Sequence, residues 1–337
     1  MKVRSVIMIN EIGIDLGTYN TMIYLKGKGI VVNEPTVVAV NKATGKIYSI
    51  GKEAGEMLGR TPLDIRAITP IKEGVIANFD ITVSLLRHFI KKAINSSFLK
   101  PRAVICIPSH ITDVEKRAVR DAVIAAGVKE VYLVEKCMAA AIGAGIEVNR
   151  PIGSMVVDIG GGTTEIAVVS LGGIVATQSL NVAGHSLDND IIQFMKKNHN
   201  LVIGDITAED IKKNIGSACP LKEELSMDIK GRDLVSGLPK TISINSAEIR
   251  EAFQESLASI IDGIKSVLEK TPPELAADIF ESGIVMTGGG STLKGLGKLI
   301  NVHTEIPIFI AESPAECVAI GAGKALEGIK NLKTILK

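Results

Sequence analysis

Three observations predict an α/β protein built of two related domains. A short unit occurs twice: residues 12–21 read IGIDLGTYNT and residues 156–165 read VVDIGGGTTE. Each is an apolar run ending in an aspartate, then a glycine-containing turn with threonines, then a second β-prone run (residues 22–25 and 166–169). Strand-like and helix-like stretches alternate along the chain, which is the pattern of the α/β class. The length of 337 residues, 46% of them hydrophobic, suits two cores better than one.

Taken in order, residues 12–15, 21–25, 30–32 and 36–40 are β-prone and bounded by Gly, Asn and Pro. Residues 53–58 form a short helix candidate. Residues 81–95 carry Val83, Leu85, Leu86, Phe89, Ile90 and Ala93 at helical spacing, with Lys91 and Lys92 placed to suit the negative end of the helix dipole. Residues 103–107 read as a buried strand. Thr112 and Glu115 form a capping box opening a helix to about residue 126. A strand over 131–134 leads into an Ala-rich helix near 138–144. In the second half a hairpin spans 155–175, and helices are expected over 186–199 and 207–215. A polar β region covers 228–244, and a single long amphipathic helix is expected over 246–268. A strand over 284–287 feeds Gly288-Gly289-Gly290-Ser291-Thr292, where a helix is expected to start at Ser291-Thr292. A small-residue helix over 317–326 closes the order.

The repeated unit is a phosphate-site arrangement. Glycine N–H groups in such a turn can approach an anion because no Cβ intervenes. A carboxylate at the strand end can hold a cation through water. One copy would be ordinary hairpin chemistry; two copies, one in each half, point to two domains clamping one nucleotide.

Composition excludes several classes. The net charge is +1 and no basic stripe with interleaved aromatics is present, so nucleic acid is not an expected partner. Cys106, Cys137, Cys219 and Cys317 form no C-x-x-C pair, which reads as a reduced, cytoplasmic protein with buried thiols. The five histidines show no metal-cage spacing. No apolar run is long enough to span a bilayer, and the apolar stretch at residues 6–9 is too short for a signal peptide; it reads as a strand leading into the first turn. There is no G-x-x-x-x-G-K-[ST], no G-x-G-x-x-G after a strand and no G-x-S-x-G elbow.

The chain resembles the actin/Hsp70/sugar-kinase superfamily and, within it, the MreB family of bacterial actin-like cell-shape proteins. The resemblance runs from about residue 12 to residue 326. It is carried by IGIDLGTYNT, KGKGIVVNEPTVVAV, EMLGRTP, SMVVDIGGGTTEIAVVSLGGIV, IVMTGGGSTLKGL and CVAIGAGKAL. The hairpins alone indicate the superfamily, whereas residues 26–40, 56–62 and 171–175 point to MreB in particular.

The resemblance implies a U-shaped, actin-like (ribonuclease-H-like) two-domain fold with ATP or ADP and Mg²⁺ in a central cleft. Domain I would span residues 1–147 with a small subdomain at about 33–70. Domain II would span 148–315 with a small subdomain at about 182–245, and residues 316–337 would return to domain I. By match to the family pattern, Asp15 and Asp158 would hold Mg²⁺ through water. Gly17, Thr18, Tyr19 and Asn20 would cover the phosphates from one side, and Gly160, Gly161, Gly162 and Thr163 from the other. Glu209 and Lys212 would face the ribose and base, with Gly288, Gly289 and Gly290 under the adenosine. The resemblance further implies homopolymeric filaments at the inner face of the cell membrane, governing cell shape. Membrane-bound morphogenetic proteins or paralogues would be further partners. The family makes membrane contact through a loop that here carries Phe98 and Leu99, with Lys91, Lys92, Lys100 and Arg102 nearby.

Two positions depart from the pattern. The family's Glu-Glu-Pro before the Ala-rich helix is Glu135-Lys136-Cys137 here, so Lys136 stands where a glutamate orients the attacking water. An ammonium has three donors and no acceptor; it could instead pair with a γ-phosphate. The family's Gly-Gly-Asp is Ala183-Gly184-His185. Thr163, which supports the water, and Asp158 are retained, so nucleotide binding with weak hydrolysis is expected. Two rivals remain open: a small-molecule kinase of the same superfamily, which would need a base for its acceptor hydroxyl, and an Hsp70-like ATPase module, which would need a β-rich substrate domain.

Overall fold

The computed structural model describes residues 10–95 and 100–327. The strand expected over residues 6–9 and the Phe98-Leu99 tip lie outside the described residues.

Two five-stranded sheets share one topology. In the first, Glu11–Leu16, Asn20–Leu25 and Gly29–Pro35 form an antiparallel meander, and Arg102–Ile107 and Glu130–Glu135 add in parallel beside Glu11–Leu16. In the second, Ser154–Ile159, Thr164–Ser170 and Gly173–Leu180 form the meander, with Ile284–Thr287 and Ile308–Ile310 added in parallel. The sequence repeat is therefore a structural repeat. In each copy the first strand is a central one covered on both faces, which explains its near-continuous apolar run. Three-stranded sheets stand apart from each: Ile47–Ile50, Val38–Asn41 and Ile65–Ile68 in the first half, and Leu201–Val202, Ser226–Asp233 and Pro239–Asn245 in the second.

Helices cover the sheets as their periodicity dictates. Phe79–Ile94 is capped by the Asn78 side chain accepting from Ile81 N, and it buries Leu85, Leu86, Phe89 and Ile90. Asp113–Ala125 opens with the Thr112/Glu115 capping box. In the second half, Gly184–His199, Asp205–Ile215 and Gln254–Glu269 pack their apolar faces into one core with the sheet.

A separate core of small residues joins the inner faces of the two sheets. It holds Val104, Cys106 and Val134 from the first sheet, Val156, Ala167 and Val169 from the second, and the helices Lys136–Gly143 and Cys317–Glu327. The two helices touch backbone to backbone: a Cβ added at Gly321 would lie 1.8 Å from Ala139 O, and one at Gly143 1.8 Å from Cys317 O. The Ala- and Gly-rich sequences of both helices follow from this approach. All four cysteines are free and buried, Cys137 and Cys219 as packing residues.

Several expectations need correction. The helix expected over 246–268 is two helices, Ser246–Ala252 and Gln254–Glu269. The break falls at Phe253, whose N–H bonds Arg250 O one residue short of α-helical pairing, while its ring is fully buried. The hairpin expected to end near 175 runs on as a third strand to Leu180. Ser291-Thr292 closes a 3₁₀ turn, Gly289–Thr292, and the α-helix starts only at Leu296. The helices Pro273–Ser282 and Leu296–Thr304 and the strand Ile308–Ile310 were not anticipated.

Candidate functional site

Both central strands end by delivering an aspartate to a four-residue turn. Asp15 pairs in register with Met22 and Asp158 with Glu165, so the two hairpins have the same geometry. The first turn is held by Gly17 N–H donating to Asn20 O (3.0 Å), and by the Thr36 hydroxyl donating to Gly17 O (2.8 Å). The second is held by Gly160 N–H donating to Thr163 O (2.9 Å). Its carbonyls then start the next helix, Gly184 N–H donating to Gly160 O and His185 N–H to Gly161 O.

The turns meet tip to tip. A Cβ on Gly161 would come within 2.7 Å of Tyr19 Cβ, and one on Gly162 within 2.6 Å of Thr18 Oγ1. Glycine is required here by closeness of approach. A third loop reaches the same place: Gly288 follows the strand Ile284–Thr287 at φ +78°, and its missing Cβ would lie 2.3 Å from Ile159 O. That backbone region admits glycine at no steric cost.

The three loops enclose a cavity of about 410 Å³, within the size range of small-molecule sites. Asp15, Gly17, Thr18, Tyr19, Asn20, Lys136, Asp158, Gly160, Gly161, Gly162, Thr163, Glu209, Lys212, Gly288, Gly289 and Gly290 all line it, so the residues singled out in sequence, apart from Phe98 and Leu99, come together. It opens at the carboxyl ends of the central strands, where α/β sheets bind ligands.

At the deep end, Asp158 is buried and accepts from the Thr287 hydroxyl (2.8 Å). Burial raises its carboxyl to about 6 against the opposing pull of Lys136 and Thr287, with Asp15 and Glu165 adding to the rise. Lys136 is the first residue of the helix Lys136–Gly143, and its Nζ lies 3.4 Å from Asp15 Oδ1. That contact is an ion pair without hydrogen-bond geometry, and Asp15 Oδ1 has no hydrogen-bond partner among the described residues. Burial alone would lower the Lys136 pKa; Asp15, Asp158 and Glu165 outweigh it and hold the ammonium charged, above its ordinary value.

At the outer end, Glu209 accepts from the Tyr19 hydroxyl and pairs with Lys213 (2.5 Å). Lys212 pairs with Asp188 (2.7 Å) and donates to Gly184 O (2.8 Å). Glu209 and Lys212 are thus each tied to other partners rather than to one another. The His185 ring lies 5.6 Å from the Tyr19 ring, and its Nδ1 is 3.7 Å from Asp188. Thr287, Asp188 and Lys213 were missed in sequence. Asp188 was findable, one turn beyond Gly184 on the same helix face.

A nucleotide fits this site: glycine turns at close approach, charged groups of both signs and the apolar wall of Leu187, Leu293 and Val318 line one cavity. A divalent ion between Asp15 and Asp158 fits less well, because Asp15 Oδ1 already lies 3.4 Å from an ammonium.

A model of the MreB/Mbl protein family matches residues 9–334. Cell shape-determining protein Mbl of Bacillus subtilis is 50% identical over 323 residues, covering 96% of this chain and 97% of the relative. Cell shape-determining protein MreB of Escherichia coli K12 is 49% identical over 326 residues, covering 95% and 94%. The crystal structure of MreB 5 of Spiroplasma citri bound to AMPPNP superposes with a TM-score of 0.92 at 39% identity, covering 97% of this chain and 99% of that one. A MamK double helical filament, 22% identical with a TM-score of 0.81, shares the fold over 95% and 99% of the two chains. A family match that begins before the first hairpin and ends beyond the helix Cys317–Glu327 leaves one assignment: the chain belongs to the MreB/Mbl family of actin-like, cell shape-determining cytoskeletal proteins.

Proposed function

We propose that this protein binds ATP and ADP in the cavity between its two hairpins and polymerises into filaments that govern cell shape at the inner membrane surface, with slow ATP hydrolysis. The observation that carries the reading is the meeting of Gly161 and Gly162 with Tyr19 and Thr18, which puts two anion-binding turns on one 410 Å³ cavity. A relative 39% identical binds AMPPNP and another structure of the same protein binds ADP. On this reading the halves at 1–147 and 148–315 close on the nucleotide, and residues 316–337 stay tied to the first.

Self-assembly is supported by family membership and by an open sheet edge: Ile308–Ile310 is an edge strand among the described residues, with Phe309 and Ile310 half exposed. An unpaired edge with exposed apolar side chains invites a further chain. Among the described residues no helix is long and apolar enough to cross a membrane. Membrane contact therefore rests on the Phe98-Leu99 tip expected from the resemblance.

Slow hydrolysis follows from Lys136. Thr163 and Asp158 line the cavity, but the side chain at the water-orienting position carries no acceptor. The test is sedimentation and electron microscopy with and without ATP, with phosphate release followed on the same sample. Filaments with little phosphate release are expected; a protein that binds nucleotide and stays monomeric under all conditions would remove the filament reading.

A further inference from the structure

We propose that Lys136 is the resident cation of this cleft, supplying from the chain the positive charge that the family pattern assigns to a divalent metal, so that nucleotide binding depends little on Mg²⁺. The proposal rests on the nucleotide reading of the cavity given above.

Local structure gives no reason for a lysine at this position. Lys136 opens a helix, where the peptide dipoles present their positive end and a cation is disfavoured. Its N-cap residue, Glu135, makes no side-chain capping hydrogen bond. The side chain is only 12% exposed, although a lysine following a strand can ordinarily reach water.

What holds it there is the cleft. Asp15 comes from the first hairpin and Asp158 from the second; both line the cavity with Lys136, whose ammonium lies 3.4 Å from Asp15 Oδ1. With Lys136 charged, the group already has an internal counter-ion. A metal ion entering between Asp15 and Asp158 would meet like charge beside the oxygen it needs. Among the described residues no three His, Cys, Asp or Glu side chains cluster to hold a metal directly, so a divalent ion would have to rely on water and phosphate oxygens.

The ion pair also has unused hydrogen-bonding capacity. The 3.4 Å contact from Lys136 Nζ leaves Asp15 Oδ1 without a hydrogen-bond donor among the described residues. An ammonium carries three donors. Lys136 lines the same cavity as the two glycine turns, so its donors are placed for phosphate oxygens.

The test measures affinity for a fluorescent ADP by titration of the full chain, once in Mg²⁺ and once in EDTA. Chelation should weaken binding to the parent by no more than about three-fold, whereas Lys136→Gln should show a loss of about ten-fold or more, the scale of one charge-assisted contact. Lys136→Arg, which keeps the charge, should behave like the parent. Thermal unfolding of each variant separates a folding defect from a binding one. If Lys136→Gln does not fold, the parent's own comparison still decides. A parent that binds in Mg²⁺ and loses binding in EDTA overturns the proposal and leaves the nucleotide reading standing. Equal insensitivity to EDTA in the parent and Lys136→Gln also overturns it, because the cation would then lie elsewhere. No binding in either buffer overturns both.

Discussion

The Tyr19 hydroxyl donates to the Glu209 carboxylate, joining residues 190 positions apart across the mouth of the cavity. Tyr19 belongs to the first hairpin turn and Glu209 to the helix Asp205–Ile215, so the bond ties the two halves together at the outer end of the cavity. Burial, then the hydrogen bond and charge of Glu209, push the phenol above its ordinary pKa.

Tyr19→Phe should therefore speed nucleotide release. A hydrogen bond to a charged group contributes about 1.5–3 kcal/mol when buried, and this one is part exposed, so an increase of about three- to ten-fold is expected. Chase of bound fluorescent ADP by unlabelled ADP in a stopped-flow instrument measures it. A release rate equal to the parent's would show that the bond does not gate the site.

The C-terminal helix should tolerate no enlargement where it touches its partner. Gly321→Ala places a Cβ against the Ala139 carbonyl, a rigid backbone atom that cannot swing aside. Overpacking of this kind costs about 1–3 kcal/mol. The partner helix begins with Lys136, and Val318 lines the cavity, so nucleotide affinity should fall together with the melting temperature. Unchanged melting by calorimetry would mean that the two helices are not held at this separation.

Glu34 provides a pH-dependent tie between the first sheet and the helix Phe79–Ile94. Burial pushes its carboxyl up, but the hydrogen bond from Lys92, the Lys52 N–H and the Lys92 charge outweigh this and hold it below the ordinary value. A depressed carboxyl pKa stabilises the fold above the unfolded value of about 4.3, and that stabilisation is lost as pH falls through the lower folded value. Glu34→Gln should lower stability at pH 7 by about 1 kcal/mol or less, since Lys92 is largely in solvent. The gap between variant and parent should close in denaturant titrations carried below about pH 4. A gap independent of pH would place the effect in packing instead of charge.

How far the sequence could be read depended on whether a feature was local. Each glycine turn is contiguous, so Asp15 to Asn20, Asp158 to Thr163 and Gly288 to Gly290 stood out before any strand was paired. Thr287 was different: it meets Asp158 only because Ile284–Thr287 lies parallel to Ser154–Ile159, a pairing between segments more than a hundred residues apart. Asp188 with Lys212, and Tyr19 with Glu209, likewise join separate elements. The missed helices have faint periodicity for a physical reason. Pro273–Ser282 fully buries only Ile279, and Leu296–Thr304 only Leu296 and Ile300. Conversely, Ile249, Phe253 and Leu257 keep helical spacing through the break at Phe253, which hid it.

The last prediction concerns the rate of phosphate release. Lys136 is held charged by Asp15, Asp158 and Glu165, so it cannot accept a proton from water or orient one through a lone pair. Release should therefore be slower than in a glutamate-bearing relative by about 10²–10⁴-fold, the usual contribution of general-base assistance. Lys136→Glu restores an acceptor at the head of the helix and should recover part of that factor. It also removes the cation beside Asp15 and puts a carboxylate in its place, so the variant should be less stable than the parent until a cation neutralises the site. Recovery should be incomplete, because by the resemblance His185 stands at an aspartate position, and its ring lies beside Tyr19 and Asp188. Comparing parent and variant under single-turnover conditions, with bound nucleotide quantified on the same sample, isolates the chemical step from affinity. A parent that already releases phosphate as fast as its glutamate-bearing relative would defeat the argument. Glu135, the N-cap of the same helix and half-buried beside Lys136, would then be the next group to test.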